Sequence, residues 1–114
     1  MSAEDVNEFY KEFKKTVGNM QKEMPDTLKA FQGLGKSAMD DAVLSEKVKE
    51  YVALGMALGA QCGPCIKLHV KSALEAGATR EEILEVCGVA VMMGGGPAFT
   101  HIQEVFHALE ANDG

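Results

Sequence analysis

Apolar residues in this chain recur at intervals of three and four, and no stretch alternates apolar with polar as a half-buried strand would. Val6, Phe9, Phe13 and Val17 step in this way and predict an amphipathic first helix, acidic enough at Glu4 and Asp5 to lie on the outside. Pro25 suits the first turn of a second helix with Leu28 and Phe31 facing inward, while Gly33 and Gly35 weaken its end and Asp40-Asp41 marks a loop. Ser45 is the expected N-cap of a third helix reaching about Ala60, whose back half from Val52 is apolar nearly all round and so is expected to be buried within the domain or between subunits. Gly63-Pro64 can open a fourth helix that stops at Gly77. Thr79-Arg80-Glu81-Glu82 is a capping box for a fifth, with Ile83, Val86, Ala90 and Val91 as its inner stripe. Gly94-Gly95-Gly96-Pro97 breaks that pattern, and a last helix follows with Ile102, Val105, Phe106 and Leu109 on one face. The fold class is therefore all-α, a bundle of about six helices in a single domain over residues 1–114.

Composition limits what such a bundle can do. The 114 residues are 46% hydrophobic and 25% charged, as in a globular chain, and can bury about two-thirds of the unfolded surface. The net charge of −6, with no Lys/Arg cluster among aromatics, argues against a nucleic-acid partner. No apolar run is expected to reach the roughly 20 residues of a membrane span, and the polar, acidic N-terminus does not read as a signal peptide. The expected compartment is the cytoplasm. Three cysteines, Cys62, Cys65 and Cys87, do not make a disulfide scaffold. In a reducing compartment a close cysteine pair is more often catalytic or metal-binding than structural.

The close pair is Cys62-Gly63-Pro64-Cys65, with His69 four residues on. Offsets of three, four and seven place Cys62, Cys65 and His69 on one helix face. The cysteines fall in the first turn, where free N–H groups and the helix dipole favour a thiolate. His69, one turn below Cys65, can take the thiol proton directly or through a water. Cys62 is close enough to resolve an oxidised Cys65. Glu50 is a further candidate: in an antiparallel pair it lies roughly 15 Å below the loop and His69 roughly 9 Å, a gap that a tilted packing and a long side chain can close. Held against His69, Glu50 would orient the ring.

The run Glu50, eleven residues, Cys62-Gly-Pro-Cys65, three residues, His69 resembles the carboxymuconolactone decarboxylase family in its alkylhydroperoxidase-D-like branch, and so does Met92-Met93-Gly94-Gly95-Gly96-Pro97-Ala98. The likeness covers about residues 44–109. It implies an all-α homo-oligomer, commonly a hexamer built as a trimer of dimers, with no bound cofactor. It implies a relay in which Glu50 and His69 deprotonate Cys65 through a water, Cys65 attacks a hydroperoxide, and Cys62 closes a disulfide that a dithiol donor, a lipoyl domain or thioredoxin-like protein, reduces again. A small disulfide is the other substrate class implied. The alkylhydroperoxidase carries a second His between its cysteines, where this chain has Pro64, so the thiol role is kept and peroxide turnover is the narrower claim. The decarboxylases that name the family generally lack the cysteine pair, so a lyase is the lesser alternative.

Other readings stand beside these. Cys62, Cys65 and His69 could bind zinc with Cys87 or His101, although no second closely spaced ligand pair is present. Alternatively, the pair could be an inert structural disulfide, and the chain a non-catalytic assembly protein. Cys87, on the apolar stripe of the fifth helix, reads as a small buried hydrophobe, and Met56, Met92 and Met93 as core filler. His101 is expected to cap or pack, and His107 to lie on the solvated side. The glycine run is no phosphate loop, since neither a preceding strand nor a following Lys-Ser/Thr accompanies it.

Overall fold

The structure is a computed structural model describing residues 2–113. In chain order it comprises α1 (Ala3–Glu23), α2 (Pro25–Met39), α3 (Glu46–Gly59), α4 (Gly63–Glu75), α5 (Arg80–Phe99) and α6 (Ile102–Ala111), with no strand among the described residues. The expected all-α class and the number of helices are both found.

Local chemistry explains where these helices start and stop. The Ser2 and Ser45 hydroxyls accept from the N–H of Asp5 and Val48, and Pro25 occupies the first turn of α2, where a missing N–H costs nothing. Both halves of the predicted capping box form: Thr79 Oγ1 accepts from the Glu82 N–H at 3.1 Å, and Glu82 Oε1 from the Thr79 N–H at 2.9 Å. Gly77 ends the α4 turn with φ of 98°, a left-handed conformation that glycine adopts without strain. Gly33 and Gly35 do not end α2, however. The helix runs through both to Met39, their propensity cost being borne by continued hydrogen bonding. The glycine run in α5 acts at one residue, Gly95, whose φ of 65° and ψ of −152° put a kink in an otherwise helical segment.

The core gathers Leu54, Ala57 and Leu58 of α3, Ile66, Val70 and Ala73 of α4, Ile83, Cys87 and Ala90 of α5, and Val105, Ala108 and Leu109 of α6. The first helix is not wholly external. Val6 is fully buried in that core, and the Tyr10 hydroxyl donates to the Lys67 carbonyl at 2.7 Å while accepting from Asn112 Nδ2 at 3.0 Å.

Several side chains expected inside face out of the single chain. Leu28 is buried as predicted, but Phe31 is 71% exposed because nothing in the chain covers the middle of α2. Met56, Met92 and Met93 are exposed, not core filler, and Phe13 and Phe106 are partly exposed. Helical spacing identifies an apolar face without saying whether the same chain covers it. His107 departs in the other direction: its Nδ1 is enclosed and without a hydrogen-bond partner, where a solvated ring was expected. By length and composition α5 is apolar enough to cross a membrane, although three glutamates in its first turns keep it from forming one continuous apolar run. Here it packs along α3 and buries Ile83, Cys87 and Ala90.

Candidate active site

The turn between α3 and α4 decides the geometry of the site. Gln61 takes a left-handed φ of 56°, and the Cys62 N–H reaches back to the Ala57 carbonyl at 3.0 Å. The loop therefore consumes almost no length. Glu50 lies seven residues before Ala57 and His69 seven after Cys62, so the two side chains come level where α4 returns along α3. Glu50 Oε1 and His69 Nδ1 are 2.8 Å apart. The gap that a simple antiparallel spacing leaves between them is closed.

Glu50 is a buried carboxylate, only 7% of its side chain exposed, and such a group requires a partner. His69 supplies it, at one-third exposure. A carboxylate acceptor assigns the ring proton to Nδ1, leaving Nε2 as the free nitrogen; this tautomer is inferred from the hydrogen bond.

Cys62 is the N-cap of α4, and its Sγ accepts from the Cys65 N–H at 3.3 Å. Gly63 and Pro64 occupy the first two helical positions, where proline fits. Cys62 and Cys65 are joined as a disulfide, with Cα atoms 5.2 Å apart. Both sulfurs lie at the positive end of the helix dipole.

The cysteine pair and His69 share one open cleft of about 330 Å³, whose α3 wall is Ala53, Met56 and Ala57. Helix α5 supplies none of its lining, so α3, the turn and α4 build the cleft. The remaining walls around the sulfurs are apolar, which leaves His69 as the polar side chain at the thiol pair. Of the candidates read from sequence, Cys62, Cys65, His69 and Glu50 are brought together and Cys87 is not. Cys87 is buried on α5, and burial pushes its thiol up to about 11. Among the described residues no group of three or more His, Cys, Asp or Glu side chains is placed to hold a metal ion, which removes the geometric basis for a zinc site with Cys87 or His101.

Sequence reasoning passed over a second polar cluster. Lys67 lies two residues beyond Cys65, about 200° further round the helix, and so faces away from the cleft. There it meets Glu104 of α6, which also holds His101. The signal was present in the sequence: Lys67 is a charged residue set directly between Ile66 and Leu68. His101 thus pairs with a carboxylate and makes no side-chain capping bond.

The chain is similar to known proteins over most of its length. The carboxymuconolactone decarboxylase family model matches residues 25–108. An uncharacterized protein of Cupriavidus necator is 35% identical over 103 residues, 88% of this chain and 91% of that protein. A Paracoccus denitrificans protein encoded in the cox locus is 38% identical over 85 residues, 75% of this chain and 77% of its own. Among solved structures, the apo form of a carboxymuconolactone decarboxylase family protein from Legionella pneumophila superposes with a TM-score of 0.85 at 37% identity, covering 96% of this chain and 95% of that one. A Thermotoga maritima member, for which a part in the antioxidative response has been suggested, gives a TM-score of 0.79 at 25% identity, covering 90% and 87%.

Proposed function

The chain belongs to the carboxymuconolactone decarboxylase family, and on that footing we propose that it is a thiol–disulfide oxidoreductase of the alkylhydroperoxidase-D-like kind, cycling Cys62 and Cys65 at the expense of a hydroperoxide or a small disulfide. The observation that carries this reading is the Glu50–His69 pair, closed at 2.8 Å, whose imidazole lines the cleft that holds both cysteines at the start of α4.

In the reduced protein His69 accepts the Cys65 proton through Nε2, directly or by way of a water, while Glu50 holds Nδ1–H and the resulting ring charge. The Cys65 thiolate attacks one peroxide oxygen. An S–O bond forms, the O–O bond breaks, and the departing alkoxide takes a proton to leave as an alcohol. Cys62 then attacks the sulfenic sulfur, water departs, and the disulfide closes. A dithiol donor, such as a lipoyl group or a thioredoxin-like protein, restores both thiols by exchange and is itself oxidised to a disulfide. Pro64, where the alkylhydroperoxidase has a second histidine, leaves a single imidazole for both proton transfers.

The assembly we propose is a homo-oligomer, a hexamer of paired subunits. It is supported by the apolar surface that α3 and α5 share, where Val52, Met56, Val89, Met92 and Met93 are each more than half exposed in one chain. Exposed apolar area of this kind marks an interaction surface.

Hydroperoxide turnover with a panel of dithiol donors tests the function, comparing the native chain with Cys65→Ser. Turnover that Cys65→Ser abolishes is the expected result. Cysteines that stay reduced under excess hydroperoxide and excess small disulfide would overturn it.

A further inference from the structure

A second Glu–His pair flanks α4 on the side away from the cleft. Glu104 Oε2 lies 2.5 Å from His101 Nδ1, and Oε1 lies 3.8 Å from the Lys67 ammonium. Lys67 is 8% exposed, and its ammonium also sits 5.2 Å from the centroid of the Phe9 ring. Three charged or titratable side chains are thus withdrawn from solvent against the back of the helix that carries the cysteines.

Glu104 also reaches the backbone of that helix. A Cβ placed on Gly63 would lie 2.8 Å from Glu104 Oε1 and 3.7 Å from Lys67 Nζ. Gly63 has no left-handed φ, so no turn requires a glycine there, and its missing side chain leaves the space into which the Glu104 carboxylate reaches. Gly63 adjoins Cys62. The carboxylate therefore stands within one residue of the redox pair, at the end of the helix where a thiolate would place its charge.

We propose that Glu104, opposed by Lys67, is a positioning residue that sets the dithiol–disulfide equilibrium of Cys62 and Cys65 by its charge at the start of α4. The inference rests on the redox reading of that pair. In reduction, a donor thiolate attacks one sulfur of the disulfide and the other cysteine leaves as a thiolate. The second donor thiol then displaces the mixed disulfide, leaving one cysteine as a thiol and the other as the thiolate that the start of α4 favours, with the remaining donor proton passing to solvent. The departing thiolate adds negative charge beside Glu104, which opposes it, and near Lys67, which favours it. Glu104 thus biases the pair toward the disulfide and Lys67 toward the dithiol, while His101 keeps the carboxylate in place. An ion pair that merely fastened α6 to α4 would stabilise both redox forms alike and leave their ratio unmoved.

The test equilibrates the full chain in dithiothreitol redox buffers at pH 8.5, quenches with acid, alkylates in denaturant and counts modified thiols by mass. Cys87 is labelled in every sample and serves as a constant. Glu104→Gln, nearly isosteric, is expected to shift the equilibrium toward the dithiol by about three- to tenfold, the upper end corresponding to about 30 mV for this two-electron couple. Lys67→Met is expected to shift it toward the disulfide by a similar factor, with Lys67→Gln replacing it should the first variant fail to fold. Shifts of opposite sign support the proposal. No shift, or shifts of the same sign, would overturn it and leave a structural ion pair. A native pair that no dithiol reduces would overturn the redox reading itself, and this inference with it.

Discussion

The Cys62 N–H donates to the Ala57 carbonyl at 3.0 Å, and this one backbone bond sets the level at which Glu50 and His69 meet. Both side chains lie seven residues from the bonded pair, on opposite strands of the helical hairpin. Proton transfer and disulfide chemistry in the cleft depend on that register, and so do the consequences of changing it.

Removing the proton acceptor should slow the thiol. In the reduced protein, His69→Ala is expected to lower the rate of Cys65 alkylation near pH 7 by about 10²-fold, the low end for positioned acid–base groups. Glu50→Gln should lower it by less, since the imidazole remains while its anchoring carboxylate is lost. Stopped-flow alkylation with a maleimide measures both; unchanged rates in the two variants would sink the relay.

The α5 cap should make stability depend on pH. The Thr79 N–H above all, together with Lys47, holds the Glu82 carboxyl down to about 2 from an ordinary 4.5. A carboxyl lowered by folding contributes fully above its unfolded value and loses that contribution as pH falls toward its folded value. The stability gap between the native chain and Glu82→Gln should therefore be constant above about pH 5 and shrink between about 4.5 and 2. Urea melts across that range read it directly. Thr79→Ala, which removes the hydroxyl half of the box, should cost about 1 kcal/mol at pH 7.

Cys87 should behave as a buried thiol. With its ionisation pushed up to about 11 by burial, it should resist maleimide at pH 8 in the folded chain and react once the chain unfolds. Mass spectrometry of labelled native and denatured protein distinguishes the two; rapid native labelling would show that α5 opens or that the thiol is accessible.

Core and surface positions on α3 and α5 should separate folding from assembly. Leu54→Ala, at a fully buried site, is expected to cost about 2–5 kcal/mol in chemical denaturation. Met56→Lys and Met93→Lys, on the exposed apolar face, should leave far-UV circular dichroism intact and reduce the mass measured by light scattering. A native chain that is monomeric at micromolar concentration would refute the proposed oligomer.

Much of this protein could be read before any fold was seen, because the governing rules are local. Ser45 and the Thr79–Glu82 box start their helices, and Gly77 closes its own, through hydrogen bonds spanning three residues, while Pro25 starts α2 where a missing N–H costs nothing. The one-face alignment of Cys62, Cys65 and His69 follows from helical offset alone. Where local signals conflicted, sequence misled: Gly33 and Gly35 weaken α2 but do not end it, since propensity is a small term beside a run of intact hydrogen bonds.

The remaining features depended on contacts between residues far apart in the chain. Periodicity could mark Phe31, Met56, Met92 and Met93 as apolar but not say which surface would cover them, and one chain covers none of them. It could offer Glu50 as a partner for His69 but not close the distance, because a turn at Gln61 that folds Cys62 back onto Ala57 is invisible to helix spacing. It gave no hint that Glu104, 41 positions beyond Gly63, would lie against that glycine. Sequence by itself determined which residues share a face of a helix; the tertiary structure decided which faces meet, because burying a carboxylate such as Glu50 or Glu104 is tolerable only where another helix brings a partner to it.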